Sequence, residues 1–217
     1  EAMSRPALDL VARHYPALPR PLPGAAWTVI IEASDAEGEA PARARLEALL
    51  AQAIEADLVA DAVVAASVAQ SRALWRLRES IPLAQALEGA NIKHDIALPV
   101  SALAAFVAAA DADLQRLVPG VRLIDFGHLG DGNLHYNVQA PEGVDARRFL
   151  DEREAEVNRL VYDRVAALGG TFSAEHGIGA LKRDELAARK SPVALALMRA
   201  VKSALDPAGL MNPGRVL

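Results

Sequence analysis

The chain has 217 residues, 52% of them hydrophobic, enough to bury a sizeable core in one large domain or two small ones. A formal net charge of −5 argues against nucleic acid as a partner, because phosphate binding wants a basic face. The complete lack of cysteine excludes disulfides, thiolate metal sites and cysteine nucleophiles, and fits a reducing compartment such as the cytoplasm. No apolar run approaches the roughly 20 residues a bilayer span needs. The start, Glu1-Ala2-Met3-Ser4, lacks the pattern of a signal peptide and reads as the cut end of something longer.

In chain order, Pro6–Arg13 is a short helical candidate, and Tyr15–Gly24 packs four Pro and a Gly into ten residues, an extended connector. Trp27–Ala33 is a β-branched apolar run with strand character. Glu39–Glu55 is expected to be a helix, with Leu46, Leu49, Leu50 and Ile54 at helical spacing. Ala62–Val68 suggests a second strand, and Ser71–Leu87 a helix that Pro82 should disturb. Asn91–Val100 alternates, with Ile92, His94 and Ile96 pointing one way and Lys93, Asp95 and Ala97 the other. Ser101 looks like the N-cap of a helix reaching Leu117. Val121–His128 and Asn133–Gln139 are strands joined by a Gly-rich turn. Arg148–Leu168 is a long helix closed by Gly169-Gly170, Pro192–Leu205 is a last helix, and the tail from Asp206 is irregular. Alternating strands and helices, with two strands almost adjoining, imply an α+β fold: a mostly antiparallel sheet with helices layered on one face.

Three of the five His fall in two short Gly-rich stretches, "GHLGDGNLHYNV" (127–138) and "FSAEHGIG" (172–179). His128 closes one strand and His135 lies just inside the next, so a turn between them lets both imidazoles face one point. His135 and Asn137, two apart on a strand, share a face. Read alone, this stretch is more simply a hairpin whose Gly and Asp serve the turn. Glu175 and His176 are neighbours and should diverge, one to bind a metal and the other to reach a substrate; alone, they are equally a polar surface loop. Taken together, two His and a carboxylate make a facial set for a divalent ion with open positions. Arg78 and Lys93 form a candidate anion site, since the planar guanidinium suits a carboxylate, although "WRLRES" is by itself an ordinary solvated helix face.

"WRLRES…NIKHDIALPV", "GHLGDGNLHYNV", "SAEHGIGALKRDEL" and "LDPAGLMNPGRVL" together resemble the carboxy-terminal, substrate-binding domain of FAD-linked oxidases. That group includes D-2-hydroxyglutarate dehydrogenase, D-lactate dehydrogenase and the glycolate oxidase large subunit. The resemblance runs from about Trp27 to Leu217, which makes residues 1–26 a connector from an upstream FAD-binding domain and places Leu217 near the natural end. It implies a ferredoxin-like duplication, FAD held mainly by the other domain, and a small 2-hydroxy acid as substrate. It further implies a divalent metal on His128, His135 and Glu175 (zinc, manganese or iron), His176 as catalytic base, and Arg78, Lys93 and Asn137 as substrate-binding residues. A homodimer, and contact with a membrane through electron-transfer partners, are compatible with it. One position departs from the pattern: four residues after Arg78 the D-2-hydroxyglutarate enzymes carry a hydroxyl, and here stands Pro82, which argues against a long dicarboxylate substrate. Outside the resemblance, a metal-dependent hydrolase using the same two His and one Glu, or a non-catalytic binding module, remains open. The hydrolase would act without flavin.

Overall fold

A computed structural model describes the whole chain, Glu1–Leu217. It divides into two compact units, Glu1–Phe172 and Ser173–Leu217.

The first unit opens with strand β1 (Ala2–Ser4) and helix α1 (Arg5–His14). Ser4 starts the helix: its hydroxyl accepts from the Ala7 amide at 3.4 Å, and Pro6 follows in the first turn, where a missing N–H costs nothing. Then come β2 (Trp27–Val29), α2 (Glu39–Glu55), α3 (Val68–Leu87), β3 (Asn91–Ala97) and α4 (Leu103–Leu117). The unit closes with β4 (Arg122–Gly127), β5 (Asn133–Gln139) and α5 (Ala146–Ala167). The five strands form one sheet in the order β2-β1-β4-β5-β3, every neighbouring pair antiparallel. A further bridge joins Ala97 to Thr171. The run β3-α4-β4-β5-α5 with that bridge is therefore one split β-α-β unit, with β5 lying between β4 and β3.

The α+β class and the antiparallel sheet agree with expectation. The helices, expected on one face, cover both. Strand alternation explains this. Ile92, Ile96, Leu134, Tyr136, Val138 and Leu123 point to one side and pack on Phe106 and Leu114 of α4 and Val157, Val161 and Val165 of α5. Ile124 and Phe126 point to the other side and pack on Leu8 and Val11 of α1 and Leu77, Ile81 and Ala84 of α3. Fully burying each of these side chains is worth roughly 1.5–3 kcal/mol, so each face has its own driving force.

Residues 1–26, read as a connector, instead supply a strand within the sheet and a helix of the second core. Met3, Ala7 and Val11 are almost fully buried. Ala62–Val68 forms no strand; Ser67 caps α3 instead, accepting from the Gln70 amide at 3.3 Å. Ser101 caps nothing, because a single 3-10 turn, Val100–Ala102, follows Pro99 and leads directly into α4. α3 continues through Pro82, which removes the amide that would bond the Arg78 carbonyl. α5 ends as expected: Gly169 takes φ +71°, and the Gly170 amide reaches back to the Val165 carbonyl at 2.9 Å.

α1, α3 and β4 are tied at one end by Glu88. Its carboxylate meets Arg122, Arg13 and His14. Burial pushes the Glu88 carboxyl up, but the hydrogen bonds and charges of Arg122, His14 and Arg13 outweigh it and hold it down to about 2.

The second unit holds α6 (Arg183–Arg189), which the sequence reading missed, and α7 (Pro192–Leu205), which it placed correctly. Ser191 caps α7. Asp206 organises the tail by accepting from the Leu210 and Met211 amides, both at 2.9 Å. No helix of the chain is long and apolar enough to cross a membrane.

Candidate functional site

The register of the central strands sets the site. Phe126 pairs with His135, Ile124 with Asn137, Asp95 with His135, and Lys93 with Asn137. All of these side chains leave the sheet on the α1/α3 face. His94, offset by one, leaves on the other face and is a core residue, its ring nitrogens 2.7 Å from the Tyr136 carbonyl and 2.9 Å from the Asn158 side chain.

The turn between β4 and β5 brings the two motif His together. Asp131 Oδ1 accepts from the Asn133 amide at 3.0 Å, closing the turn over Gly132. Gly132 has φ +80°, and a Cβ there would stand 2.0 Å from the Leu98 carbonyl oxygen. At Gly127 the constraint is a different one: a Cβ would stand 2.4 Å from the Asn133 carbonyl oxygen. Glycine at these two positions is demanded by backbone packing, and the tight turn that results leaves the His128 and His135 rings 5.8 Å apart, near perpendicular. The His135 ring also rests 5.0 Å from that of Phe126.

Arg78, on α3, is buried, its guanidinium 4.6 Å above the centre of the Phe126 ring. Its Nε donates to Glu1 Oε2 at 2.6 Å, while its two terminal nitrogens donate to no protein group. Glu1 Oε1 in turn lies 2.6 Å from His128 Nδ1. Asn137 donates through Nδ2 to Gln85 Oε1 at 2.9 Å, and Gln85 sits two turns beyond Arg78 on the same helix. Asp95 is fully buried, accepts from Asn133 Nδ2 at 2.9 Å and lies 4.0 Å from His135 Nδ1. Lys93 is exposed beside Asn137. Thus Arg78, Lys93, His128, His135 and Asn137 stand on one face of the first unit.

Glu175 and His176 belong to the second unit. They lie on an exposed loop between Ser173, whose hydroxyl donates to the Gly177 carbonyl at 2.7 Å, and Gly177 and Gly179, both at positive φ. Lys182 donates to the same Ser173 hydroxyl at 3.2 Å.

Sequence reasoning missed Glu1, Gln85, Asp95 and Phe126 as parts of the site. For Asp95 a signal existed, its alternation with Lys93 on the side of the candidate anion site. For Glu1 and Gln85 there was none, because their partners are far away in sequence.

The donor set suits a divalent cation. An ionised carboxylate can only accept, so the Glu1 contact places a proton on His128 Nδ1. Imidazole nitrogens with a carboxylate suit a first-row divalent ion.

Arg78 of α3 thus stands over the same sheet face as the paired His and the Asn137 amide. The family model for the FAD linked oxidases, C-terminal domain, matches residues 1–216, and the chain belongs to that family. It is 35% identical, over its whole length, to D-2-hydroxyglutarate dehydrogenase, mitochondrial, of Arabidopsis thaliana. It is 36% identical over its whole length to the protein of that name from Rattus norvegicus, and 38% identical over 83% of its length to D-2-hydroxyglutarate dehydrogenase of Stutzerimonas stutzeri. It spans only 37% of the Arabidopsis protein and 39% of each of the other two.

Proposed function

We propose that the chain is the substrate-binding part of an FAD-dependent dehydrogenase that oxidises a D-2-hydroxy acid to the 2-oxo acid. The observation that carries this is Arg78: a buried guanidinium with two unpartnered terminal nitrogens, on the same face as His128, His135 and Asn137. Such a fork suits a bidentate carboxylate, and burial makes each hydrogen bond count for more than it would in water. Lys93 adds a second positive charge, and the Asn137 amide, held by Gln85, is pre-oriented for a polar group of the substrate.

His128, His135 and Glu175 would hold a divalent ion, and a domain outside this chain would hold FAD. Such an ion would make the substrate hydroxyl more acidic, and FAD would supply the acceptor for the α-hydrogen. The chain's own residues do the rest. Arg78 and Lys93 fix the carboxylate so that the α-hydrogen has one orientation. His176 takes the hydroxyl proton onto a ring nitrogen, a task suited to imidazole at neutral pH. Proton and hydride leave separately and the 2-oxo acid remains.

Pro82 lies one helical turn beyond Arg78 and offers no donor, so a small 2-hydroxy acid fits better than the dicarboxylate in the relatives' names. The required partner is the FAD-binding domain; nothing in the site calls for a second copy of the chain. The names of the plant and animal relatives place those proteins in mitochondria. The test is dye-linked oxidation of D- and L-2-hydroxy acids by the full-length enzyme, with and without chelator. Oxidation of the D-acids that chelator abolishes is expected. Equal rates on both enantiomers, or chelator-insensitive rates, would overturn the proposal.

A further inference from the structure

Glu1 lies outside every motif, yet its carboxylate touches two of the proposed site residues at once. Oε2 accepts from Arg78 Nε and Oε1 from His128 Nδ1, both at 2.6 Å. The side chain is only 10% exposed. Its backbone is pinned as well: the Glu1 carbonyl accepts from the Ile30 amide at 2.8 Å, and the next residue, Ala2, pairs with both Val29 and Gly127. A carboxylate so fixed, between a cation stacked on Phe126 and an imidazole one residue past β4, is not a solvated surface group.

We propose that Glu1 is a positioning residue that acts on Arg78 and His128 together. Towards Arg78 it occupies Nε and thereby turns the two terminal nitrogens to the substrate side. Towards His128 it fixes the Nδ1–H tautomer and leaves Nε2 as the ligating atom. Its negative charge also offsets the buried guanidinium, which would otherwise oppose a divalent ion on the neighbouring imidazole. Carboxylate–imidazole–metal relays of this kind are a general device, and loss of the outer carboxylate typically costs roughly 10–100-fold in metal affinity. The inference rests on the proposed assignment of His128 as a metal ligand and Arg78 as the carboxylate-binding residue.

Glu1→Gln in the full-length enzyme, numbered as here, tests it. Glutamine keeps the shape and can still accept from Arg78 through its single oxygen. It then presents an NH2 group to His128 Nδ1, which must become an acceptor, so the ring proton moves to Nε2. Three readouts follow. Nitrogen NMR of histidine-labelled protein should show His128 as the Nδ1–H tautomer in the wild type and Nε2–H in the variant. Manganese titration of the metal-stripped proteins should show affinity lower by roughly 10–100-fold. KM for the hydroxy acid should rise more than kcat falls, because a neutral amide oxygen accepts from Arg78 Nε more weakly than a carboxylate and holds the guanidinium less firmly. Glu1→Asp, which retains an ionised acceptor, should recover part of the metal affinity; it also serves if the Gln variant fails to fold. An unchanged tautomer with manganese affinity within twofold of wild type would overturn the role of Glu1. If instead the tautomer switches but the wild-type protein takes up no manganese, the role of Glu1 on His128 stands and the metal assignment falls.

Discussion

Gly132 and Gly143 have nearly the same backbone, φ +80° and +78°, but different surroundings. At Gly143 a Cβ would meet nothing within 4 Å; at Gly132 it would stand 2.0 Å from the Leu98 carbonyl oxygen. Alanine at either site bears the left-handed cost of about 1–2 kcal/mol, reduced by the lower entropy of its unfolded chain by about 0.4–1 kcal/mol. The expected loss at Gly143 is therefore about 1 kcal/mol. At Gly132 the Leu98 backbone must also move by an ångström or more, and the bond from the Leu98 amide to the Gly132 carbonyl, now 3.1 Å, is broken or stretched. Overpacking adds about 1–3 kcal/mol and the lost bond about 1 kcal/mol. Gly132→Ala should thus cost about 3–5 kcal/mol. Urea denaturation of both variants, followed by far-UV circular dichroism with a check that the slope is unchanged, measures the difference. Equal losses would show that the glycine serves conformation alone and that the close approach of β3 does not shape the turn carrying His128 and His135.

Three further outcomes are expected. Glu88, with its carboxyl lowered from 4.5 to about 2, stabilises the fold above pH 4.5 and loses that contribution as pH falls through about 2. The shift corresponds to at most about 3 kcal/mol, and with Arg13 half exposed we expect Glu88→Gln to cost about 2 kcal/mol at pH 7 and little near pH 2, as read by denaturation at both pH values. His176→Gln in the full-length enzyme should keep metal and FAD and lose turnover by roughly 10²–10⁴-fold, whereas Glu175→Gln should lose metal; metal analysis beside kinetics separates them, and the reverse pattern would exchange the roles. Pro82→Thr restores a hydroxyl one turn beyond Arg78 and should lower KM for D-2-hydroxyglutarate relative to D-lactate, and an unchanged ratio would remove this position from specificity.

What the sequence revealed depended on whether a pattern was local. β3 and β5 could be read because Ile92, His94 and Ile96, and His135 with Asn137, alternate within single strands. The end of α5 could be read because Gly169-Gly170 is a local stop signal. β1 could not: three residues specify no strand without β2 and β4 beside them. Ala62–Val68 carries β-branched residues but pairs with no strand of the sheet, so propensity alone misled. The helices were assigned to one face because the hydrophobic pattern of α1 and α3 shows how much of each is buried but not against which side of the sheet. The His of the site were legible from residue type and Gly spacing. Glu1 was not, since its partners Arg78 and His128 lie 77 and 127 residues away along the chain.

The central claim, that this chain presents a D-2-hydroxy acid to a flavin across a site built on His128 and His135, is tested most directly by anaerobic flavin reduction. Full-length wild-type enzyme and His135→Ala are mixed with D- and L-2-hydroxy acids without acceptor, and the flavin absorbance is followed through one turnover. We predict stoichiometric bleaching of the wild type by a D-acid, none by its L-enantiomer, and a loss of both bleaching and bound metal in His135→Ala. Bleaching of His135→Ala at the wild-type rate, or no bleaching of the wild type by any 2-hydroxy acid, would contradict it.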